Sequence, residues 1–237
     1  MIRRLAGVLV LAGLTVTGCS SPEKTEKKEA PTSSAAPTGR VALLVPEKAG
    51  MTAKAPAVYK VNVETSKGDV VVEVHRDWAP NAADRFHFLV QNGYYNDVRF
   101  FRVVSGFMVQ FGISGDPKLN GVWRQQTMPD DPRTQSNARG TLSFAMAGPN
   151  SRTTQVFINF VDNSRALDGQ NFAPFARVVS GMDVVDQLYA GYGDGAPRGK
   201  GPEQFRILSE GTPYLTQSFP KMDYIKKATI VSEAPTS

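Results

Sequence analysis

The sequence is poor in the side chains that most often bind metals. Only one cysteine and two histidines occur among its 237 residues. His75 and His87 have no cysteine or acidic cluster at metal-ligand spacing, so both are expected to be solvated surface residues. The sequence therefore predicts no metal site.

The sequence also lacks a large excess of either positive or negative charge. The 27 Lys and Arg residues slightly outnumber the 22 Asp and Glu residues, and the net charge of +5 is scattered along the chain. This distribution argues against dedicated nucleic-acid binding. The hydrophobic share of 41% is ordinary for a soluble globular protein.

Two signatures of nucleotide and hydrolase chemistry are missing. The glycine-rich segment 191–201 (GYGDGAPRGKG) lacks the Walker pattern and a preceding strand, which favours a flexible surface loop that could touch a substrate. Ser143, Asp168 and a histidine could form a triad on paper. No nucleophile elbow surrounds any serine, so a hydrolase is disfavoured.

The N-terminus has no apolar run long enough for an ordinary transmembrane helix. A short positive region at residues 1–4 precedes an apolar run at 5–16, which predicts a signal peptide spanning residues 1–18. Residues 16–19 (VTGC) resemble the lipobox of bacterial lipoproteins, which implies lipidation of Cys19. Cleavage by an ordinary signal peptidase, with Cys19 incidental, stays open. A mature body without further cysteine suits export.

Composition then divides the chain. Residues 19–56 are rich in Ser, Pro, Ala, Thr, Lys and Glu and are expected to form a disordered tether. The apolar run 41–45 inside it could be a stray strand or a docking segment. A folded domain is expected at 57–232, followed by a tail at 233–237.

The folded part is expected to be mainly β. Residues 59–65 and 70–74 alternate in hydrophobicity around a turn, which predicts a hairpin. Helices are expected at 80–91 and 183–190. Further strands are expected at 100–110, 141–147, 155–160, 176–179 and 227–231. Many short strands with two helices favour a capped β-barrel.

The segment 100–112 (FFRVVSGFMVQFG) is the most informative, because it places one arginine and one glutamine in an apolar, β-prone run. Alternation puts Arg102, Met108 and Gln110 on one face, with a bulge or kink at 105–106. Phe107 is expected on the opposite face. Arg offers a rigid fork of donors, and Gln both donates and accepts. This face could therefore bind a flat, weakly polar group flanked by apolar atoms.

This segment resembles the active-site strand of the cyclophilin family, F-H-R-[VI]-[VI]-x-G-F-M-x-Q-x-G, with Phe101 where the family often has His. Residues 140–150 (GTLSFAMAGPN) with 154–159 (TQVFIN) resemble a second family block. Residues 167–169 (LDG) through 175–185 (FARVVSGMDVV) resemble a third, and residues 81–95 the family's first helix. The resemblance covers about residues 58–231.

The resemblance implies a closed eight-stranded antiparallel β-barrel capped by two α-helices. It also implies peptidyl-prolyl cis-trans isomerase activity on proline-containing polypeptides, without a cofactor. By family position Arg102 and Gln110 are the catalytic residues. The implied substrate-binding residues are Phe107, Met108, Ala145, Met146, Gln155, Phe157, Leu167, Phe172 and Phe175.

Two departures from the family pattern bear on these assignments. Ala166 stands where many members carry an aromatic residue, so cyclosporin binding is expected to be weakened. The chain between Leu167 and Phe175 is one residue longer than the common pattern, so Phe175 is the safer match to the pocket wall than Phe172.

The leading hypothesis is a monomeric isomerase, lipid-anchored in the bacterial cell envelope, that serves exported or unfolded proteins. A proline-binding module or holdase that uses the same groove for docking is the main alternative. A substrate-capturing transport lipoprotein would need two lobes, for which the folded part is too short.

Overall fold

The computed structural model describes residues 38–233. The predicted signal peptide lies outside the described residues, as does the first half of the predicted tether, residues 19–37, which includes Cys19. Among the described residues, no helix is both long and apolar enough to cross a membrane.

In chain order the elements are α1 (Gly39–Leu44), a 3₁₀ turn (Pro46–Ala49), β1 (Val58–Thr65), β2 (Asp69–His75), α2 (Pro80–Gln91), β3 (Arg102–Val104), β4 (Met108–Phe111), α3 (Pro117–Trp123), β5 (Thr141–Phe144), β6 (Val156–Asn159), α4 (Ser164–Leu167), a 3₁₀ turn (Asp168–Gln170), β7 (Pro174–Ser180), α5 (Met182–Asp186), α6 (Gln204–Glu210), α7 (Thr212–Ser218) and β8 (Ile225–Glu233).

The eight strands form one antiparallel sheet in the order β3-β4-β6-β5-β7-β2-β1-β8, curled into a half-barrel. Buried and part-exposed residues alternate strictly along β1, as expected for a sheet with one face on a core. The mainly β prediction is confirmed. The closed barrel is not, because β3 and β8 are edge strands. They approach each other through the isolated bridge between Arg99 and Tyr224, which lies outside the strand ladders.

The main core lies between the sheet and α2. Phe86 of α2 packs against Phe175 of β7 with ring centroids 5.1 Å apart, and Phe175 packs against Phe144 of β5 at 5.2 Å. Helix α2 spans the predicted residues, with Pro80 in its first turn. The second predicted helix, 183–190, is shorter than expected and occupies Met182–Asp186.

The strand predicted at 100–110 is a hairpin and not one continuous strand. Residues 105–107 form a turn between β3 and β4, and Arg102 lies opposite Gln110 while Val104 lies opposite Met108. The predicted face is nevertheless right for Arg102, Met108 and Gln110, because the three-residue turn keeps even-numbered residues on one side of both strands.

The folded region begins earlier than predicted. The disordered tether was expected to reach residue 56, but α1 packs on the core through Ala42 and Leu43, which are 0% and 3% exposed. The indole Nε1 of Trp123 donates a hydrogen bond to the Leu43 carbonyl at 3.0 Å. Residues 41–44 of this run are therefore part of a docked helix that ends before Val45, since its buried apolar side chains offset the cost of ordering it.

A smaller apolar cluster lies apart from the main core, beneath the C-terminal helices. It includes Phe101, Ile113, Ile207 of α6 and Leu215 of α7. The adjacent Phe100 belongs to the main core instead. The chain just before β3 therefore sends neighbouring side chains into two separate clusters.

Candidate active site

The site is built on one row of residues that crosses four neighbouring strands. Arg102 of β3 lies opposite Gln110 of β4, Gln110 opposite Phe157 of β6, and Phe157 opposite Ser143 of β5. Side chains at paired positions point to the same face of a sheet. The sheet therefore brings one cation, one amide and one aromatic ring to the same surface.

Arg102 is held by hydrogen bonds on two sides. Its Nε and Nη2 donate to Oδ1 and Oδ2 of Asp194 at 2.8 and 3.0 Å, and its Nη1 donates to Oε1 of Gln110 at 3.1 Å. Gln110 in turn donates from Nε2 to Oε1 of Gln155 at 2.8 Å. A continuous polar chain thus fixes the guanidinium plane, as bidentate carboxylate pairing does.

The charge of Arg102 is matched by Asp194. Burial opposes ionisation of Asp194, but hydrogen bonds and charge from Arg102, the Gly195 amide and the charge of Arg198 outweigh it and lower its pKa below the usual value. The carboxylate is therefore ionised at neutral pH. Asp194 lies in segment 191–201, for which the sequence predicted a flexible surface loop that could touch a substrate.

Beside this polar chain lies an apolar socket. Met108, Phe157 and Leu167 are buried together, and the partly exposed residues Val104, Phe107, Ala145 and Phe172 pack against them. The rings of Phe157 and Phe172 meet edge to face at 5.5 Å. The socket opens into a groove of about 370 Å³ that Arg102 and Gln110 also line.

Most of the sequence-predicted site residues come together in this groove. Besides Arg102 and Gln110, the lining residues that the sequence predicted are Phe107, Met108, Ala145, Met146, Gln155, Phe157, Leu167 and Phe172. Phe107 was placed on the opposite face of a continuous strand. It lies in the hairpin turn instead, from where it reaches the socket.

Phe175 does not line the groove, so its assignment as the safer pocket residue is wrong. It is 0% exposed and belongs to the main core with Phe86 and Phe144. Phe172 takes the position on the wall. Asn171, in the left-handed conformation with φ of 60°, turns the chain between α4 and β7 so that Phe172 precedes the strand and faces the groove.

Four further residues line the groove and were missed by sequence reasoning: Ala147, Ser151, Thr153 and Gln204. Ala147 lies within the block at 140–150, and Ser151 and Thr153 follow it closely, so all three could have been found from that block. Gln204, the first residue of α6, carried no signal because no motif extends beyond residue 201.

Buried polar groups hold the walls of the groove in place. Asn137 donates from Nδ2 to the carbonyl of Phe172 and to Oδ1 of Asp168, both at 2.9 Å, and Asn163 donates to the carbonyl of Phe107 at 2.8 Å. Burial works against ionisation of Asp168, but hydrogen bonds from Asn137 and Ser136 outweigh it and lower its pKa. These contacts fix the backbone that carries the socket's aromatic rings.

A second buried arginine supports the opposite wall. Arg85 of α2 donates from Nη1 to the carbonyl of Thr153 at 3.0 Å, and its guanidinium lies 5.3 Å from the ring centroid of Trp123. Burial lowers the pKa of Arg85 to about 10, so the side chain stays charged at neutral pH. Its position beneath the groove makes it a structural support.

The chemistry of this site is that of a hydrogen-bond donor beside an apolar socket. No cluster of three or more potential metal ligands occurs in the described part of the chain. The groove offers a fixed cation, an amide and apolar walls, which suits recognition and polarisation of a neutral group without covalent chemistry.

Comparison with known proteins points to one family. The family model described as "Cyclophilin type peptidyl-prolyl cis-trans isomerase/CLD" matches residues 60–210. Peptidyl-prolyl cis-trans isomerase B of Escherichia coli K12 is 33% identical over 181 residues, which cover 73% of this chain and 99% of that relative. A peptidyl-prolyl cis-trans isomerase of Acinetobacter baylyi is 32% identical over 142 residues, covering 58% of this chain and 76% of the relative.

Solved structures share the fold. A cyclophilin-type isomerase of Cryptosporidium parvum has a TM-score of 0.55 and 22% identity, covering 75% of this chain and 99% of that one. A cyclophilin from Hirschia baltica has a TM-score of 0.53 and 17% identity, covering 77% of each chain. The residues that the family model matches include every residue that lines the Arg102 groove, and the chain belongs to the cyclophilin-type peptidyl-prolyl cis-trans isomerase family.

Proposed function

We propose that the protein is a peptidyl-prolyl cis-trans isomerase that binds X–Pro segments in the Arg102 groove. The observation that carries the proposal is the guanidinium of Arg102 held at the edge of the apolar socket formed by Met108, Phe157 and Leu167. A proline ring needs an apolar site, and its peptide nitrogen needs a donor beside that site.

The barrier to rotation about an X–Pro bond comes from amide resonance, and such rotation is slow, with a barrier of about 18–20 kcal/mol. Twisting the bond makes the prolyl nitrogen pyramidal and more basic. A donor aimed at that nitrogen therefore binds the transition state more tightly than the planar ground state, which is the condition for catalysis. Arg102 supplies the donor without covalent chemistry.

Gln110 is assigned to orient Arg102. A second role for this amide would be to hold a substrate carbonyl, but Gln110 is only 6% exposed and its two ends bond Arg102 and Gln155. Met146 follows Ala145, whose amide donates to the Gln155 carbonyl at 2.9 Å just beyond the end of β5. From there its main chain can pair with an extended substrate, as in strand-like peptide recognition.

The experiment compares Arg102→Ala with the wild type in a protease-coupled assay on an Ala-Pro peptide. A related Cryptosporidium parvum enzyme has been crystallised in the presence of the dipeptide Ala-Pro. Arg177→Ala serves as the matched control, since Arg177 is a strand arginine paired with Glu73 and does not line the groove. Loss of turnover in Arg102→Ala alone supports the proposal, and equal rates in all three proteins contradict it.

The same experiment separates the isomerase from the proline-binding module or holdase. A docking module would bind the peptide at the socket and show no turnover even as the wild type. We favour the enzyme because Arg102 is fixed by three hydrogen bonds, whereas binding of a proline ring needs the socket more than a cation.

We further propose a cellular role in the bacterial envelope, where the enzyme would be a lipid-anchored monomer that assists folding of exported or unfolded proteins. The lipobox-like residues 16–19 and the single cysteine support this role. More than one acyl chain would give stable anchoring. Mass spectrometry of the mature N-terminus tests it: an unmodified Cys19, or a start at another residue, would refute anchoring.

Weakened binding of cyclosporin remains a proposal that rests on Ala166. This residue is exposed on α4 and does not line the groove, although the next residue, Leu167, does. Calorimetric titration with cyclosporin of the wild type and of Ala166→Trp tests it. Tighter binding by the variant is expected, and equal affinity would contradict the proposal.

A further inference from the structure

The glycine-rich segment 191–201 carries the carboxylate that pairs with Arg102, which the sequence did not predict. It places Asp194 against Arg102 across 92 residues of chain, with both oxygens of the carboxylate accepting hydrogen bonds from the guanidinium. The side chains of Arg102 and Asp194 are 22% and 17% exposed. The pair is thus largely shielded from water, where ion pairs are screened less than on an open surface.

The glycines allow the chain to fold closely around Asp194. A Cβ at Gly199 would overlap the backbone carbonyl and amide of Asp194, and a Cβ at Gly201 would lie 2.9 Å from the same carbonyl oxygen. The Gly201 amide donates to the Asp194 carbonyl at 2.8 Å. The glycines therefore allow two backbone segments to approach each other closely.

The segment is also fixed at its base. The ring of Tyr192 packs edge to face against Tyr189 and Phe219, with centroids 5.0 and 5.1 Å away. The Lys200 amide donates to the Tyr192 carbonyl at 2.9 Å. Asp194 is thus presented from a segment tied to the C-terminal part of the domain, and its position relative to Arg102 is defined.

Asp194 leaves Arg102 able to act as a donor. The guanidinium carries five N–H groups. Two of them bond Asp194 and one bonds Gln110. Two remain without a partner among the described residues. The carboxylate thus fixes the plane of the guanidinium from the side while leaving donors for a group in the groove.

We propose that Asp194 is a positioning residue for the isomerisation reaction, acting through Arg102. This inference rests on the proposed function and extends it to segment 191–201. Without the carboxylate, the arginine side chain gains rotamers, and its N–H groups spend less time aimed at the prolyl nitrogen. A donor that matters mainly in the transition state affects kcat more than KM.

The test is a set of Asp194 variants in the full-length protein. Asp194→Asn keeps the shape but loses the charge and one acceptor oxygen, and we expect kcat to fall about tenfold with KM nearly unchanged. Asp194→Glu should recover part of the loss because it restores a bidentate carboxylate. Asp186→Asn is the matched control: Asp186 forms a similar two-bond pair with Arg139 at an exposed site that does not line the groove.

Two readouts separate positioning from a merely structural role. In an Arg102→Ala background, Asp194→Asn should cause no further loss of activity, because the two residues act as a unit. In ¹⁵N-detected spectra, the Arg102 Nε–H signal should exchange slowly with water in the wild type and rapidly in Asp194→Asn. A loss of activity that is equally large in both backgrounds would show a structural role and overturn the inference.

The outcomes also distinguish this inference from the proposed function. An active wild type with an inactive Arg102→Ala, but wild-type kcat in Asp194→Asn, would overturn the positioning role alone. Higher activity in Asp194→Asn would overturn it too, since the carboxylate would then be withholding the arginine. A wild type that binds the peptide without turnover would overturn the proposed function and this inference together.

Discussion

Substitution of Gln110 tests directly how the groove orients its arginine. Gln110→Leu removes the acceptor for Arg102 Nη1 and the donor to Gln155 Oε1, bonds of 3.1 and 2.8 Å. A hydrogen bond to a charged group contributes about 1.5–3 kcal/mol. If that energy is expressed only in the transition state, the loss corresponds to a decrease of about 10- to 150-fold in kcat, since about 1.4 kcal/mol is a factor of ten.

Gln110→Glu provides the matched comparison. It keeps an oxygen for Arg102 but removes the amide donor, and Gln155 can turn its own amide to donate instead. If Gln110 orients Arg102, Gln110→Glu should stay within about threefold of wild-type kcat. If Gln110 instead donates to a substrate carbonyl, both variants should raise KM by similar factors.

The assay is isomerisation of an Ala-Pro peptide at several substrate concentrations, with urea unfolding to show that each variant is folded. We expect Gln110→Leu to change the free energy of unfolding by about 1 kcal/mol. Wild-type kcat in Gln110→Leu would refute the orienting role. Equal losses in the Leu and Glu variants would show that the lost donor, and not the arginine's orientation, limits the reaction.

Three further predictions concern pH and stability. Activity should be flat between about pH 6 and pH 8 and fall only in acid. The reason is that folding lowers the pKa of Asp168 and of Asp194 below the ordinary value of 3.8. The stability that these two carboxylates give to the fold is therefore complete above pH 3.8 and is lost as the pH falls through their folded-state pKa. A pH-rate profile with a step near neutrality would contradict this. Leu43→Ala should lower the free energy of unfolding by about 2–4 kcal/mol, whereas Leu44→Ala, at a site 38% exposed, should change it little; equal effects in urea titrations would show that α1 is not docked. Phe175→Ala should lower the free energy of unfolding by about 3–5 kcal/mol and leave the KM of the folded enzyme unchanged. A rise in KM without that loss of stability would show that Phe175 contacts the substrate in the groove.

The sequence alone predicted correctly which polar side chains share one face of the site. The reason is that even-numbered residues stay on the same side whether residues 102–110 form one strand or a hairpin. Residues 102–110 alternate in the same way whether the chain continues straight or turns at 105–107, since the turn has three residues. The predicted position of Phe107 was wrong, because the side chain of a turn residue is not assigned to a face by strand alternation. Local alternation therefore predicted Arg102 beside Gln110 but not the hairpin that joins them.

The errors have equally specific causes. Phe172 and Phe175 differ in role because Asn171 adopts a left-handed conformation that ends the 3₁₀ turn before β7 begins. Phe175 lies within β7, in its buried run at 174–176, and belongs to the main core. Helix α1 was hidden because six residues among polar neighbours carry little periodicity. The pairing of Asp194 with Arg102 depends on tertiary contacts between distant segments, for which no local pattern exists.

The separation of Phe100 and Phe101 into two apolar clusters has a consequence for local stability. The small cluster beneath α6 and α7 buries far fewer side chains than the main core, so it should open at a lower free energy. Such an opening would loosen the segment carrying Asp194 while the sheet stays folded. In native-state hydrogen exchange, amides of segment 191–201 should therefore form a cooperative unit less protected than β1 and β2.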